Sequence, residues 1–222
     1  ICQMPQLEVL IIKWSAIVDL TPLTQLRELR HFKLGNSSKI TSLEPLVQLH
    51  DLQSLRFGGL PKCSDFSPLA ELHALRELHI TGDQSAQRID DLTPLAQLLA
   101  LKGLSLRHCK LPSLRPLAAL TSLRELGLFG NNPLDEIAWL SVQLPNTECM
   151  QFQPYLAYDW AGMCTRCYHA QLVDLVGKGA RQGLCPSCDA AVIAPHAQAF
   201  ADAQQLARDE LAGKGSAQTA QA

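Results

Sequence analysis

Four cysteines near the end of the chain have the spacing of a metal site. They form two Cys-x-x-Cys pairs, Cys164 with Cys167 and Cys185 with Cys188, and 17 residues separate the pairs. Two cysteines three positions apart on a tight turn direct both sulfurs at one ion, and two such turns complete a tetrahedron of thiolates about 2.3 Å from the metal. The sequence therefore predicts one ion bound by these four side chains.

Because all four predicted ligands are cysteines, the site leaves no open position for water, and we expect a structural role for the metal. Zinc is the expected ion, and iron stays open because four thiolates also bind iron. The alternatives are two disulfides, unpaired thiols or redox chemistry, which a cytosolic setting and the absence of a βαβ pattern disfavour. His169 and His196 have the chemistry to ligate, but we interpret both as exposed or locally bonded side chains.

The part of the chain before these motifs is dominated by periodic leucines. The 222 residues include 40 leucines, and 34 of them precede residue 145. Proline followed by leucine recurs in steps of 23, 23, 26 and 22 residues from Pro22 to Pro116. A second frame, Leu-x-x-Leu-x-Leu with Ile or Phe as variants, runs in register with it from Leu7 to Leu128, and Thr147-x-x-Met150-x-Phe152 is interpreted as a degraded seventh copy.

The spacing within one repeat predicts a strand followed by a tight turn. Alternate apolar residues indicate a short strand with one buried face. Leucines three apart around the proline suit a 3₁₀ turn, in which proline fixes φ. A single unit cannot bury its apolar edge, whereas stacked units form a curved solenoid.

The phrase Asp91-Leu92-Thr93-Pro94-Leu95 and its copies resemble the internalin-type class of the leucine-rich repeat family, whose repeats have about 22 residues. The resemblance covers roughly residues 5–153. It implies an α/β fold, a solenoid with parallel strands on a concave face and 3₁₀ or short helical turns on the convex face. The cysteine segment resembles a zinc ribbon or rubredoxin-like knuckle pair over residues 162–196, so we expect a small C-terminal zinc-binding knuckle.

These patterns divide the chain into predicted segments. They are the solenoid at 1–153, an aromatic connector at 154–161, the four-cysteine domain at 162–196, a weak helix at 197–212 and a disordered tail at 213–222. We expect the connector's aromatic side chains to cover an apolar end of the solenoid at Leu140, Leu144, Met150 and Phe152.

The repeat of 26 residues carries its extra residues between Ile80 and Ile89, and we predict an exposed, mobile loop at residues 81–88 on one rim. Three residues after the last anchor of each strand, the family places Asn or Cys, which satisfies buried backbone groups of the turn. Cys109 occupies this position and is interpreted as structural. Leu60 occupies it in the third repeat, where no side-chain partner is available, so that turn must differ.

The resemblance places recognition on the concave face, in the residues that flank the inward anchors. Lys33, Arg56 and His79 fall in its central column and form a short basic stripe, while Arg107 and Phe129 fall in a neighbouring column. We predict these five residues as partner-binding, with the stripe as a seat for an acidic segment. The alternative interpretation is a solvated polar face.

Charge, motifs and hydropathy disfavour nucleic-acid binding, catalysis and a membrane span, and they leave protein or peptide binding as the expected function. The net charge of −2, with five Lys+Arg against six Asp+Glu after residue 152, disfavours nucleic-acid or translation-machinery binding through the zinc ribbon. A ubiquitin-ligase-like RING needs eight ligands, and no catalytic set is recognisable, so we expect no enzyme. Without a run of about 18 apolar residues or a signal peptide, we expect a cytoplasmic monomer that binds an unidentified protein or peptide, with no membrane partner.

Overall fold

The computed structural model describes residues 4–13, 16–158, 162–168 and 170–219, with side chains to residue 213. The predictions for His169, for the end of the connector at 159–161 and for the last three residues of the tail fall outside this range. The chain separates into two compact units. The first contains residues 1–130 and 146–149, and the second contains residues 131–145 and 150–222.

The first unit is a stack of parallel strands, as the leucine spacing predicts. Its strands are β1 (Val9–Lys13), β2 (His31–Gly35), β3 (Ser54–Gly58), β4 (Glu77–Thr81), β5 (Gln87–Arg88), β6 (Gly103–Arg107), β7 (Cys109–Lys110) and β8 (Glu125–Phe129). A six-stranded parallel sheet has the order β1-β2-β3-β4-β6-β8, and β5 pairs with β7 beside it. The anchors Leu55, Leu78 and Leu106 are fully buried under this sheet.

Each strand of the sheet up to β6 is followed by a short 3₁₀ turn, which carries the proline motif. The turns span Thr21–Gln25, Glu44–Gln48, Ser67–Glu71, Leu95–Gln97 and Arg115–Ala119. A buried leucine lies in each of them. The predicted fold class, a solenoid of parallel strands and 3₁₀ turns, is therefore confirmed.

The strands pair in the predicted register through the sixth repeat. Lys33 pairs with Arg56, Arg56 with His79, and His79 with Ser105. The predicted seventh copy is wrong, because Glu125 pairs with Glu148 in an isolated bridge and Met150 is 56% exposed. α1 (Leu134–Gln143) stands in place of the 3₁₀ turn after β8. The chain returns in frame, since Thr147 is buried and the Glu148 N–H donates to the Arg124 carbonyl, but it leaves the frame directly after Glu148.

The insertion in the fourth repeat compensates for Leu60 in the third. The Leu60 N–H donates to Gln87 Oε1 at 3.2 Å, and Gln87 Nε2 donates to the Cys63 carbonyl. Gln87 is buried, so this side chain satisfies backbone groups that no ladder residue of the third repeat reaches. The predicted exposed loop is correct for Asp83 to Ser85, but Gln87 and Arg88 form β5.

The second unit contains α1, the antiparallel pair β9 (Tyr155–Tyr158) and β10 (Leu172–Leu175), and α2 (Ala190–Thr219). Val173, Leu175 and Leu184 form its small core, against which Val192 and Ile193 pack. α1 packs on α2, where Trp139 Nε1 donates to Glu210 Oε2 at 3.0 Å. No helix in the described residues is long and apolar enough to cross a membrane.

The structure corrects three predictions for this unit, namely the connector and the start and end of the C-terminal helix. Most of the connector is a strand, because Tyr155–Tyr158 pairs with β10. Tyr155 is 37% exposed, and the covering role of the aromatic side chains stays a prediction because it includes Trp160, outside the described residues. α2 begins seven residues before the predicted start at 197 and continues to Thr219, through most of the predicted tail, since alanine-rich sequence has high helix propensity.

Candidate metal centre and concave face

The fold brings the four predicted ligands together at one point. Cys164 Sγ lies 3.9 Å from Cys188 Sγ, and Cys167 Sγ lies 3.5 Å from Cys185 Sγ. All four sulfurs lie within 4.8 Å of one another. The edge of a tetrahedron with metal–sulfur bonds of about 2.3 Å is about 3.8 Å, so the spacing fits a four-thiolate site. These four cysteines can bind one metal ion.

Each cysteine pair is closed by a backbone hydrogen bond of the same kind. The Tyr168 N–H donates to the Cys164 carbonyl at 2.8 Å, and the Asp189 N–H donates to the Cys185 carbonyl at 2.8 Å. Tyr168 has φ 59°, a left-handed conformation that glycine adopts more easily. The tight turns therefore aim both sulfurs of a pair inward even without glycine after the second cysteine.

The protein groups around the sulfurs stabilise negative charge. Backbone N–H groups of Arg166 and Cys167 lower the pKa of Cys164 to about 6. Hydrogen bonding with Cys167, followed by burial, raises the pKa of Cys188 to about 12. Without metal, one thiolate thus shares its charge with neighbouring thiols. A divalent cation held by all four cysteines would take the place of their protons and offset about half of the negative charge of the four thiolates.

An ion pair ties the two cysteine pairs to each other. Asp189 Oδ2 accepts a hydrogen bond from Arg166 at 2.6 Å and another from the Cys185 N–H at 2.8 Å. The Arg166 hydrogen bond lowers the pKa of Asp189 and keeps it ionised. Sequence analysis did not assign either residue to the site; the signal was an acidic residue directly after the last cysteine.

His196 does not join the four cysteines. Its Nε2 donates to the Val176 carbonyl at 2.8 Å, which agrees with a locally bonded side chain. The buried thiols of the repeats are not members of the four-cysteine cluster. Burial raises the pKa of Cys63 to about 11 and that of Cys109 to about 12, so both are inert packing residues.

The basic stripe of the concave face is present, and two carboxylates, Glu77 and Glu125, lie beside it. Lys33, Arg56 and His79 lie side by side on β2, β3 and β4. Arg56 lies 3.5 Å from Glu77 Oε2 and His79 lies 3.9 Å from it. Burial and the charge of Arg56 lower the pKa of His79. At neutral pH, the lysine and the arginine therefore carry the positive charge of the stripe.

These side chains line an open depression of about 430 Å³, to which Lys13 adds a further positive charge. Gly35 and Gly58 also line it, and a Cβ added at either glycine would have its nearest heavy atom 3.9 Å away. The missing side chains leave space for a ligand to approach the strands. We call this cavity the cationic depression.

Arg107 and Phe129 lie farther along the sheet, on β6 and β8. The Arg107 guanidinium carbon is 4.3 Å from the centroid of the Phe129 ring, a cation–π contact. Strand pairing places the two residues opposite each other. Arg107 also lines a depression of about 460 Å³ together with Arg56 and His79, so this contact adjoins the basic stripe.

Comparison with known proteins supports the fold. Residues 100–142 match the family pattern of leucine-rich repeats in two copies. An internalin (InlF) from Listeria monocytogenes is similar in structure, with a TM-score of 0.52 and 21% identity over 67% of this chain and 48% of the internalin. The chain thus spans about half of that structure, and the likeness shows the leucine-rich-repeat fold.

Two further solved structures show weaker likeness. Internalin C2 from Listeria monocytogenes has a TM-score of 0.46 and 21% identity over 64% of this chain and 70% of its own. The leucine-rich repeat domain of the type III effector XopL has a TM-score of 0.47 and 17% identity over 66% of this chain and 53% of its own. Curated proteins give no significant match.

Proposed function

We propose that this protein is a non-catalytic interaction module whose concave face binds an acidic segment of a partner protein or peptide. The observation that carries the proposal is the lining of the cationic depression. Lys13, Lys33, Arg56 and His79 surround it, and no carboxylate is among its described lining residues. Such a site attracts and orients an acidic ligand, since charge complementarity governs encounter and specificity.

A carboxylate of the partner would compete with Glu77 for the Arg56 guanidinium. Glu77 is half exposed and lies at the edge of hydrogen-bonding distance from Arg56, so the existing ion pair is weak. A bound acidic residue would take over this guanidinium at little cost. Arg107 and Phe129 offer a second contact of the kind enriched at interface hot spots.

Binding of labelled hexaglutamate tests this proposal. Replacing Lys33→Glu and Arg56→Glu together is expected to weaken binding roughly tenfold or more, because each reversal removes an attraction and adds a repulsion. The matched control is Lys39→Glu with Lys62→Glu, which makes the same charge change at exposed lysines outside the depression. If both double variants lose the same amount of affinity for hexaglutamate, the effect comes from the net charge of the protein and the proposal is contradicted.

We further propose that Cys164, Cys167, Cys185 and Cys188 hold one structural zinc ion, and that the protein works in the cytoplasm, where thiols stay reduced. Elemental analysis of the purified protein should give about one zinc per chain. Cys185→Ser should abolish it, whereas Cys149→Ser should not. Iron in place of zinc would correct the identity of the ion, and a metal-free protein with two disulfides would contradict the site.

A further inference from the structure

The loop of the fourth repeat forms a second depression next to the cationic one. It has a volume of about 310 Å³ and is lined by Asn36, Ser38, Gly59, Pro61, Asp83, Gln84, Ser85 and Gln87. Asn36 lines both cavities, so they are continuous at the ends of β2 and β3. We call the second cavity the rim depression.

Gly59 keeps the rim depression open. It has φ +62°, and a Cβ added there would lie 3.0 Å from Asp83 Cβ and 3.3 Å from Asn36 Oδ1. The oxygens of Asn36 and Asp83 therefore face the same point from two sides. A ligand that crosses the rim at Gly59 meets an amide oxygen and a carboxylate.

The loop that supplies Asp83 is fixed at both ends. A Cβ at Gly82 would lie 2.2 Å from the His108 carbonyl oxygen, so the chain passes this backbone too closely for any other residue. At the other end, Gln87 is buried and its N–H donates to the His108 carbonyl at 2.9 Å. Asp83 thus lies on a short, anchored loop, which lowers the entropic cost of binding to it.

The two depressions carry charges of opposite sign; Arg56 and His79 share Glu77, whereas the remaining charges have no ion pair among the described residues. Lys13 and Lys33 form no ion pair with residues that the structure describes, and neither does Asp83. Asp83 is exposed. The lysines lie on the sheet and Asp83 lies on the rim. A ligand of complementary charge would therefore carry negative groups over the sheet and a positive group at the rim.

We propose that one extended peptide segment of the partner occupies both depressions, with acidic residues over the cationic depression and a lysine or arginine beside Asp83. This inference rests on the proposed function and adds the charge order of the partner. Lys33 lies on β2 and Asn36 comes three positions later, directly after this strand, so the two are at most about 10 Å apart along the chain. An extended peptide that spans this distance places its acidic and basic side chains about three positions apart.

Two peptides of equal length test this charge order. The mixed peptide is Glu-Glu-Glu-Gly-Lys-Lys and the acidic peptide is Glu-Glu-Glu-Gly-Glu-Glu, both labelled at the N-terminus and measured by fluorescence polarisation. The wild-type protein is expected to bind the mixed peptide about fivefold more tightly, and Asp83→Lys is expected to reverse this preference. Asp51→Lys is the matched control, because Asp51 is exposed and precedes β3 at the opposite ends of the strands.

The outcomes separate this inference from the proposed function. If Asp83→Lys leaves the ratio of the two affinities unchanged, or Asp51→Lys shifts it equally, the charge order is overturned. If both peptides bind and depend on Lys33 and Arg56, the proposed function stands regardless of that result. If neither peptide binds, or binding ignores these two residues, the proposed function and the inference fail together.

Discussion

A single glutamine links two consecutive repeats in this solenoid. Gln87 reaches the backbone of Leu60 and Cys63, 27 and 24 residues earlier in the chain, and also hydrogen-bonds the adjacent Arg88 carbonyl at 3.1 Å. It satisfies backbone groups of the third repeat, as the Cys109 thiol does in a later repeat by donating to the Ile80 and Arg107 carbonyls. The insertion in the fourth repeat, which contains Gln87, therefore contributes a buried side chain as well as exposed residues of the rim.

Gln87→Ala is expected to lower the free energy of unfolding by about 3 kcal/mol, because it leaves the buried Leu60 N–H and Cys63 carbonyl without partners. Urea denaturation followed by circular dichroism measures this. Gln84→Ala, in the same loop but exposed, should change stability by less than about 0.5 kcal/mol. Similar effects of the two substitutions would show that the hydrogen bonds of Gln87 contribute little.

Asp189 is the side chain that holds the two cysteine pairs together. Removing its charge with Asp189→Asn is expected to weaken metal binding roughly tenfold, and Asp189→Ala up to a hundredfold, as for other groups that orient metal ligands. Asn keeps an oxygen for the Cys185 N–H, whereas Ala keeps none. Competition with a chromogenic chelator measures the affinity.

The control for Asp189 is Asp209→Asn, which removes an exposed carboxylate of α2 that hydrogen-bonds Gln205. Its metal affinity should equal that of the wild type. If Asp189→Ala also binds metal as tightly as the wild type, the contacts with Arg166 and Cys185 do not position the ligands.

At the scale of elements, each 3₁₀ turn with the proline motif is preceded by a residue that caps its backbone. Asp19, Asp65 and Asp91 each accept the N–H two residues later, at 2.8 Å. Ser42 and Ser113 do the same in the other two turns, at 3.1 and 3.3 Å. This contact explains why Asp or Ser precedes the Leu-x-Pro-Leu phrase, since it fixes where the turn begins.

The three aspartate caps make the repeats sensitive to acid. Hydrogen bonds from the residue two positions later lower the pKa of Asp19, Asp65 and Asp91. A folded-state pKa below the unfolded value, about 3.9, means stabilisation that is present above that value and lost as the pH falls through the folded pKa. We expect the urea midpoint to drop as the pH falls from about 5 through 3.9 and below.

A triple variant, Asp19→Ser with Asp65→Ser and Asp91→Ser, should lose less stability over this pH range, because serine caps without titrating. It copies the two turns that already use serine. The exposed Asp51→Ser should behave like the wild type. If the urea midpoint of the triple variant depends on pH as that of the wild type does, groups other than these three aspartates cause the acid sensitivity.

The sequence predicts the parts of the fold whose residue pattern recurs in every repeat or forms a short local motif. The register of Lys33, Arg56 and His79 follows from inward leucines at fixed spacing, and the cysteine cluster follows from two short local motifs. Each motif spans only a few residues and recurs at a regular or recognised spacing, so it can be identified before the contacts between its copies are known.

The parts that sequence analysis missed depend on distant or competing signals. β9 becomes a strand only by pairing with β10, and Gln87 finds its partners more than 20 residues away. α1 did carry a local signal, namely Leu134, Ile137 and Leu140 at helical spacing with acidic residues in the first turn. The leucine frame of the repeats overlaps this pattern and hid it.

At the scale of the whole molecule, the chain passes between its two units three times. The passages follow Gly130, Pro145 and Cys149, so α1 belongs to the second unit although both of its ends continue into the first. The segment 146–149 of the first unit is held by an isolated bridge, in which the Leu126 N–H donates to the Glu148 carbonyl at 2.9 Å. The two units are therefore joined by more than a single linker.

This connectivity predicts that removing the metal destabilises the repeats as well as the second unit. Loss of the ion should unfold the core around Val173, release α2 and with it α1, and leave residues 131–145 as a flexible loop within the first unit. Fraying at the Glu125–Glu148 bridge then follows. A loss of about 2 kcal/mol in a chain of this size lowers the melting temperature by roughly 4–8 °C.

Thermal unfolding with and without a chelator tests the coupling. Trp139, which is buried and bonded to Glu210, reports the second unit in a variant that carries Trp14→Phe and Trp160→Phe. Hydrogen exchange of peptides from β6 and β8 reports the repeats. Both signals should shift together on chelation in the protein with intact ligands and not in Cys185→Ser, which has no site to empty. If exchange in β6 and β8 is unchanged while Trp139 fluorescence collapses, the repeats are stable without the metal-binding unit and the predicted coupling is wrong.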